Sequence, residues 1–213
     1  LYADFDGLNL SWESLEGIVK HNGPAKKSAN YYLKEYNEIH NLNLDTFAGP
    51  EAQVAAIADD IAYNNHDLSD GLNAGLFEME ELLALPLISD CIQEVDKLYP
   101  GLEKKRRQHE ALRRAFSSMV DDVITESRKF LEGFSEKEAD DIRNFSHPVI
   151  RFSDNLLSDL QVIRQFLFER MYRHWTVRRM RLKVAKLTTN LFEIFMSEPQ
   201  LLPPDWFKSI ESL

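Results

Sequence analysis

Cysteine is nearly absent from this 213-residue chain. Cys91 is the one example, which rules out an intrachain disulfide framework and a Cys-based zinc cluster built by this chain alone. Glycine and proline number 8 each, too few for collagen-like or low-complexity sequence. No apolar run approaches the roughly 20 residues that a membrane-spanning helix needs, so no membrane partner is expected. The first residues, Leu1 to Asp6, have no basic stretch followed by an apolar one, so they do not read as a signal peptide. They also lack an initiator Met, which raises the expectation that the gene product begins upstream. What is present is ordinary for a globular chain: 44% hydrophobic and 28% charged residues.

Charge is unevenly distributed. The net charge is −10. Residues 1–102 hold 18 acidic against 5 basic residues, and residues 103–213 hold 17 against 20. The acidic half repels polyanions such as duplex nucleic acid. The basic residues cluster at Lys104–Arg107 and again from Arg164 to Lys186. They read as solvated helix faces or subunit contacts, with an anion site for phosphate or single-stranded nucleic acid as the sharper alternative.

The pattern is helical almost throughout. Ser11 caps a segment with apolar Leu15, Ile18 and Val19, which Asn22-Gly23-Pro24 terminates. Residues 25–50 read as a loop or a short helix. A strong helix begins at Glu51, with a break expected around residues 67–71. Further helices are expected at 76–84, 87–98, 103–131, 136–145, 149–170, 174–197 and 204–212, separated by Pro86, Pro100-Gly101, Gly133 and His147-Pro148. No strand pattern and no heptad array stands out. The expectation is an all-α fold in a single unit, 1–213, in which 1–85 completes a site and 86–213 is a helical C-terminal region.

Residues 51–71 carry the chemistry. At 100° per residue, Asp59, Tyr63 and Asp67 stand on one ridge at i, i+4 and i+8, with His66 nearby. Alanines 55, 56 and 62 keep the surroundings small. A carboxylate buried in such a stretch requires a cation or a metal as partner. On spacing alone, a contact with the helix N-terminal dipole or a salt bridge with an Arg of the later helices is favoured for Asp59. Spacing leaves Tyr63 open to being a core aromatic, Asp67 a helix-end residue and His66 an interior histidine.

Two segments carry a resemblance. Gly7 to His21 and Glu51 to Gly71 resemble the bacterial deoxyguanosinetriphosphate triphosphohydrolase-like proteins of the HD superfamily of metal-dependent phosphohydrolases. A looser likeness runs through Tyr172-Arg173-His174, Leu191-Phe192, Phe195, Pro199, Leu202-Pro203 and Trp206. The resemblance implies a multi-helix HD-type fold, of which this chain is a C-terminal part. It implies hydrolysis of a dNTP to deoxynucleoside and inorganic triphosphate, with a divalent metal (Mn, Mg, Fe, Ni, Zn or Co). It implies that Asp59 is the last metal ligand, that Tyr63 packs on the deoxyribose, that Asp67 lies near a sugar hydroxyl and that Lys20 contacts phosphate. It also implies homo-oligomers in the cytoplasm.

The departure from the family pattern is large. The family's His and adjacent His-Asp ligands have no counterpart, because the one His-Asp dipeptide, His66-Asp67, belongs to the later motif. One Asp cannot hold a catalytic metal, so no catalytic residue is expected in this region and the piece alone is expected to be inactive. The other readings are an HD-type phosphohydrolase with a different nucleotide, and a non-catalytic helical module for oligomerisation or single-stranded nucleic acid.

Overall fold

A computed structural model describes residues 2–5, 7–133 and 138–211. Among them there is no strand, only an isolated bridge between Tyr2 and Phe5, so the fold is all-α. The chain divides into two compact units, Leu1–Arg164 and Gln165–Leu213.

In the first unit, α1 (Trp12–Val19) begins where the Ser11 hydroxyl accepts from the Ser14 amide. The turn after it uses Gly23 at φ +96°, a left-handed conformation that suits glycine. Residues 25–50 contain α2 (Tyr31–Ile39), capped by the Asn30 side chain. Its surroundings form a small core of Ala25, Ala29, Leu42 and Leu44, against which Trp12, Leu15, Val19 and Leu33 pack.

α3 (Pro50–Asn73) starts with proline in its first turn and Glu51 beside it, both suited to a helix N-terminus. The expected break at 67–71 does not occur. Gly71 is buried inside the helix, and its missing Cβ leaves room for the ring of buried Phe77. A Cβ there would overlap that ring. Gly71→Ala should therefore destabilise the chain by about 1–3 kcal/mol, against the roughly 1 kcal/mol by which alanine favours a helix interior over glycine. Thermal melting would show a lowered Tm; an unchanged or raised Tm would contradict this packing.

A 3-10 turn (Met79–Ala84) leads to α4 (Pro86–Leu98), and α5 (Lys104–Glu132) returns along α4 and α3. Leu68, Leu82, Leu85, Ile88, Ile92, Val95, Leu112 and Met119 are buried here, most of them completely. This core runs across the 85/86 line. Short α6 (Ala139–Arg143) falls inside the expected 136–145 helix, whose residues 136 and 137 lie outside the described residues. The expected helix from 149 instead starts later, as α7 (Asp154–Leu167). Residues 149–153 are held by side chains: Asp122 accepts from the Ser153 amide at 2.8 Å and its hydroxyl at 2.6 Å, and Ser127 accepts from the Arg151 amide at 3.2 Å.

The second unit contains a π-helical turn (Phe168–Tyr172), α8 (Trp175–Ser197), a 3-10 turn (Pro199–Leu201) and α9 (Pro204–Glu211). None of the described residues of α8 is buried.

Candidate functional site

The site is built on α3 and on the residues that follow α1. Since α3 is continuous from Pro50 to Asn73, Asp59, Tyr63 and Asp67 do share one ridge. Burial differs from expectation. The Asp59 side chain is 73% exposed, and its Oδ2 lies 3.7 Å from His21 Nε2. Tyr63 is 55% exposed, Asp67 is half-buried and His66 exposed. The physical reason is that α3 turns its Gln53, Ile61, Asn64 and Leu68 stripe to the interior, which leaves the ridge on the opposite side. The Arg salt bridge open to Asp59 goes to its neighbour: Arg164 Nη2 lies 3.4 Å from Asp60 Oδ1.

Lys20 is placed differently from a phosphate contact. Its side chain is buried, and Nζ donates to Glu16 Oε1 (2.9 Å), Thr46 Oγ1 (2.8 Å) and the Phe47 carbonyl (3.3 Å). An ammonium has three N–H donors, and all three are used. Burial pushes the Lys20 ammonium below its ordinary pKa, against the raising effect of its Glu16 partner. Arg143 Nε donates to both oxygens of Glu16, each at 3.0 Å, and its guanidinium lies 5.1 Å from the centre of the Trp12 ring. Glu16 thus joins two cations in the interior. This triad clamps the end of α1, immediately before His21, onto the Thr46 hydroxyl, the Phe47 carbonyl and α6.

Gln53 is a second brace. It donates to the Ala48 carbonyl (2.9 Å) and accepts from the Val149 (2.8 Å) and Ile150 (3.2 Å) amides. The result is a groove of about 480 Å³ lined by His21, Asp59, Asp60, His147, Arg151 and Asp154, with Lys20 beneath. Arg151 is turned to Glu126 at 2.8 Å and lies 5.4 Å from the Phe130 ring centre. His147 Nδ1 is buried with no hydrogen-bond partner among the described residues.

Sequence reasoning missed His21, Gln53 and His147 as site residues. His21 carried a local signal, standing two residues past the last apolar position of α1. Gln53 and His147 carried none, because their partners are remote in sequence.

The arrangement can contribute to a cation site but not complete one. His21 and Asp59 are suitable donors, yet no group of three or more His, Cys, Asp or Glu side chains among the described residues is placed to hold a metal ion. Two donors fall short of the three or four protein ligands that a catalytic transition metal takes.

Comparison of the sequence with known proteins gives its relatives. Residues 150–212 match the phosphohydrolase-associated domain of the HD phosphohydrolase family. Over 212 residues the chain is 53% identical to a protein of Roseobacter denitrificans named deoxyguanosinetriphosphate triphosphohydrolase-like protein, a match covering 100% of this chain and 55% of that relative. Proteins of the same name from Cereibacter sphaeroides (53% over 211 residues, covering 99% and 56%) and a Jannaschia species (51% over 212 residues, covering 100% and 54%) are similar to the same extent. The chain is thus similar over its whole length to the deoxyguanosinetriphosphate triphosphohydrolase-like proteins, and it spans about half the length of the curated relatives it matches.

Proposed function

We propose that this chain forms one wall of the active site of a metal-dependent dNTP triphosphohydrolase. The ridge of Asp59, Tyr63 and Asp67 supports the reading. It sets an exposed carboxylate, an exposed aromatic ring and a second carboxylate on one face of a rigid helix, with His21 beside the first.

Asp59 is the ligand this chain offers to a divalent cation whose remaining ligands come from outside it. Such a cation, when bound, neutralises charge on the phosphates and lowers the pKa of water. In the net reaction a water oxygen bonds to the α-phosphorus and the bond from phosphorus to the 5′-oxygen breaks. The 5′-oxygen takes a proton, and the products are deoxynucleoside and triphosphate. In that step Asp59, Tyr63 and Asp67 bind and orient. Tyr63 offers a flat apolar face to the deoxyribose, which a 2′-hydroxyl would crowd. Asp67 is placed one turn further on to accept from a sugar hydroxyl. Lys20, with its donors used, acts at one remove by fixing the end of α1 under His21. The same reading assigns the protein to the cytoplasm, where dNTPs are found.

Tyr63→Ala in the full-length protein is expected to raise KM for a dNTP and to reduce the preference for dNTP over rNTP, by about tenfold if the ring discriminates through apolar contact. Steady-state kinetics on paired deoxy- and ribonucleotides would show it; an unchanged ratio would sink the sugar-packing role. Chromatography of the products separates triphosphate release from stepwise phosphate release, and the latter would point to a different nucleotide phosphohydrolase.

A further inference from the structure

The basic run at the start of α5 has no part in the groove on α3. Most of the cations between residues 104 and 114 are matched by carboxylates of this chain. Lys104 Nζ donates to Glu78 Oε2 (2.7 Å), Arg107 Nε to Asp96 Oδ1 (2.6 Å), Arg113 Nη2 to Glu110 Oε1 (2.7 Å) and Arg114 Nη1 to Glu94 Oε1 (2.6 Å). Lys105, Arg106 and His109 are exposed and have no such ion pair among the described residues. The cap residue Glu103 turns its carboxylate to the Lys105 (3.1 Å) and Arg106 (3.2 Å) amides.

The three unmatched side chains border one hollow of about 460 Å³, with Tyr99 and Leu102 as its apolar wall and Glu110 at its rim. Tyr99 is 47% exposed, and the Glu110 carboxylate is held by Arg113 and Arg114. At 100° per residue, Lys105, His109 and Arg106 fall at about 0°, 40° and 100° round α5, within about 6 Å along its axis. Cations spread in this way suit carboxylates on successive residues of a chain better than one compact phosphate, which needs its donors to converge. The hollow is also separate from the groove on α3. Gln108 Nε2 lies 3.4 Å from Asn73 Oδ1, and Asn73 stands about 21 Å beyond Asp59 along the same helix at 1.5 Å per residue. The neighbouring cations are matched across α4, the 3-10 turn and α5, so the charges of this surface are settled within the chain everywhere except around the hollow.

We propose that the hollow at the turn between α4 and α5 is a docking site for an acidic peptide segment that carries one bulky apolar side chain. The apolar side chain enters against Tyr99 and Leu102, and the flanking carboxylates accept from Lys105, Arg106 and His109. An apolar centre with an aromatic residue, ringed by polar groups, is the common anatomy of such contacts. This does not depend on the proposed catalytic function.

The test uses the full-length protein and a fluorescein-labelled peptide of glutamates flanking one phenylalanine, titrated by fluorescence anisotropy. Saturable binding is expected. The double variant Lys105→Glu, Arg106→Glu should weaken it by about tenfold, as two exposed ion pairs become repulsions. Lys27→Glu, Lys34→Glu makes the same charge change at exposed lysines outside the hollow and should leave binding within about twofold. Far-UV circular dichroism should be retained in both, because all four side chains are exposed. As a milder second variant, Lys105→Gln, Arg106→Gln removes the charges without reversing them and should weaken binding in the same direction. Serine in place of the glutamates, or alanine in place of the phenylalanine, should each weaken the peptide. No binding by the wild type, equal loss in the two charge-reversed variants, or equal binding of the serine or alanine peptide would each overturn the proposal. So would displacement of the labelled peptide by a single-stranded oligonucleotide at lower concentration than by unlabelled peptide, which would point to nucleic acid instead.

Discussion

Asp59→Ala in the full-length protein is expected to abolish metal-dependent triphosphate release while leaving the fold intact. Loss of an outer-shell partner of a metal already costs about 10–100-fold, and loss of a ligand from an incomplete set should exceed that. The fold should not suffer. The carboxylate is 73% exposed, its charged partner among the described residues is His21 at 3.7 Å, and exposed substitutions of this kind stay within about 0.5 kcal/mol. Asp60→Ala is the matched control: the next residue, also acidic and exposed, but turned to Arg164. Activity assayed across added divalent cations, with melting curves for each variant, gives the answer. Near wild-type turnover by Asp59→Ala would remove Asp59 from the ligand set.

Glu16→Gln should strongly destabilise the first unit. Glu16 is 1% exposed and, among the described residues, is the only carboxylate that Lys20 meets. Arg143 has a second partner, Asp140 at 2.8 Å, but that carboxylate is 79% exposed and screened by water. Removing the charge of Glu16 while keeping its shape leaves two cations in the interior with no buried anion. Breaking a buried ion pair from one side costs about 3–5 kcal/mol, a large fraction of the stability of an ordinary domain. Denaturant unfolding of Glu16→Gln beside wild type measures it. A loss under about 1 kcal/mol would mean that Lys20 sheds its proton or reaches water at little cost. The compensated pair Glu16→Gln, Lys20→Met should recover part of the loss.

How far the sequence could be read depended on the range of the forces involved. Helices set by local signals were legible: the Ser11 cap, Pro86 and Pro100-Gly101 all mark true ends. Gly71 misled, because its reason for being glycine is Phe77, a tertiary contact, and not a chain break. The ridge of Asp59, Tyr63 and Asp67 followed from helical geometry alone, but its exposure did not. Which side of α3 faces inward is decided by Gln53, Ile61, Asn64 and Leu68, two of them polar and so invisible to an apolar pattern. The phosphate contact that the resemblance implied for Lys20 could not foresee Glu16, Thr46 and Phe47, two of them remote in sequence, as the partners of its ammonium.

The clamp on Glu16 bears on how the chain reaches its native state. Arg143 is 127 residues away along the chain, and the amides that Gln53 receives are 96 and 97 residues away. Closures this remote cost chain entropy before they return any contact energy, and they slow folding. The helices can form early from local contacts, but the end of α1 cannot lock until α6 and residues 149–150 have arrived. His21 and the floor of the groove are then among the last parts of the first unit to be set in place, so a partly folded chain would carry the helices without the site.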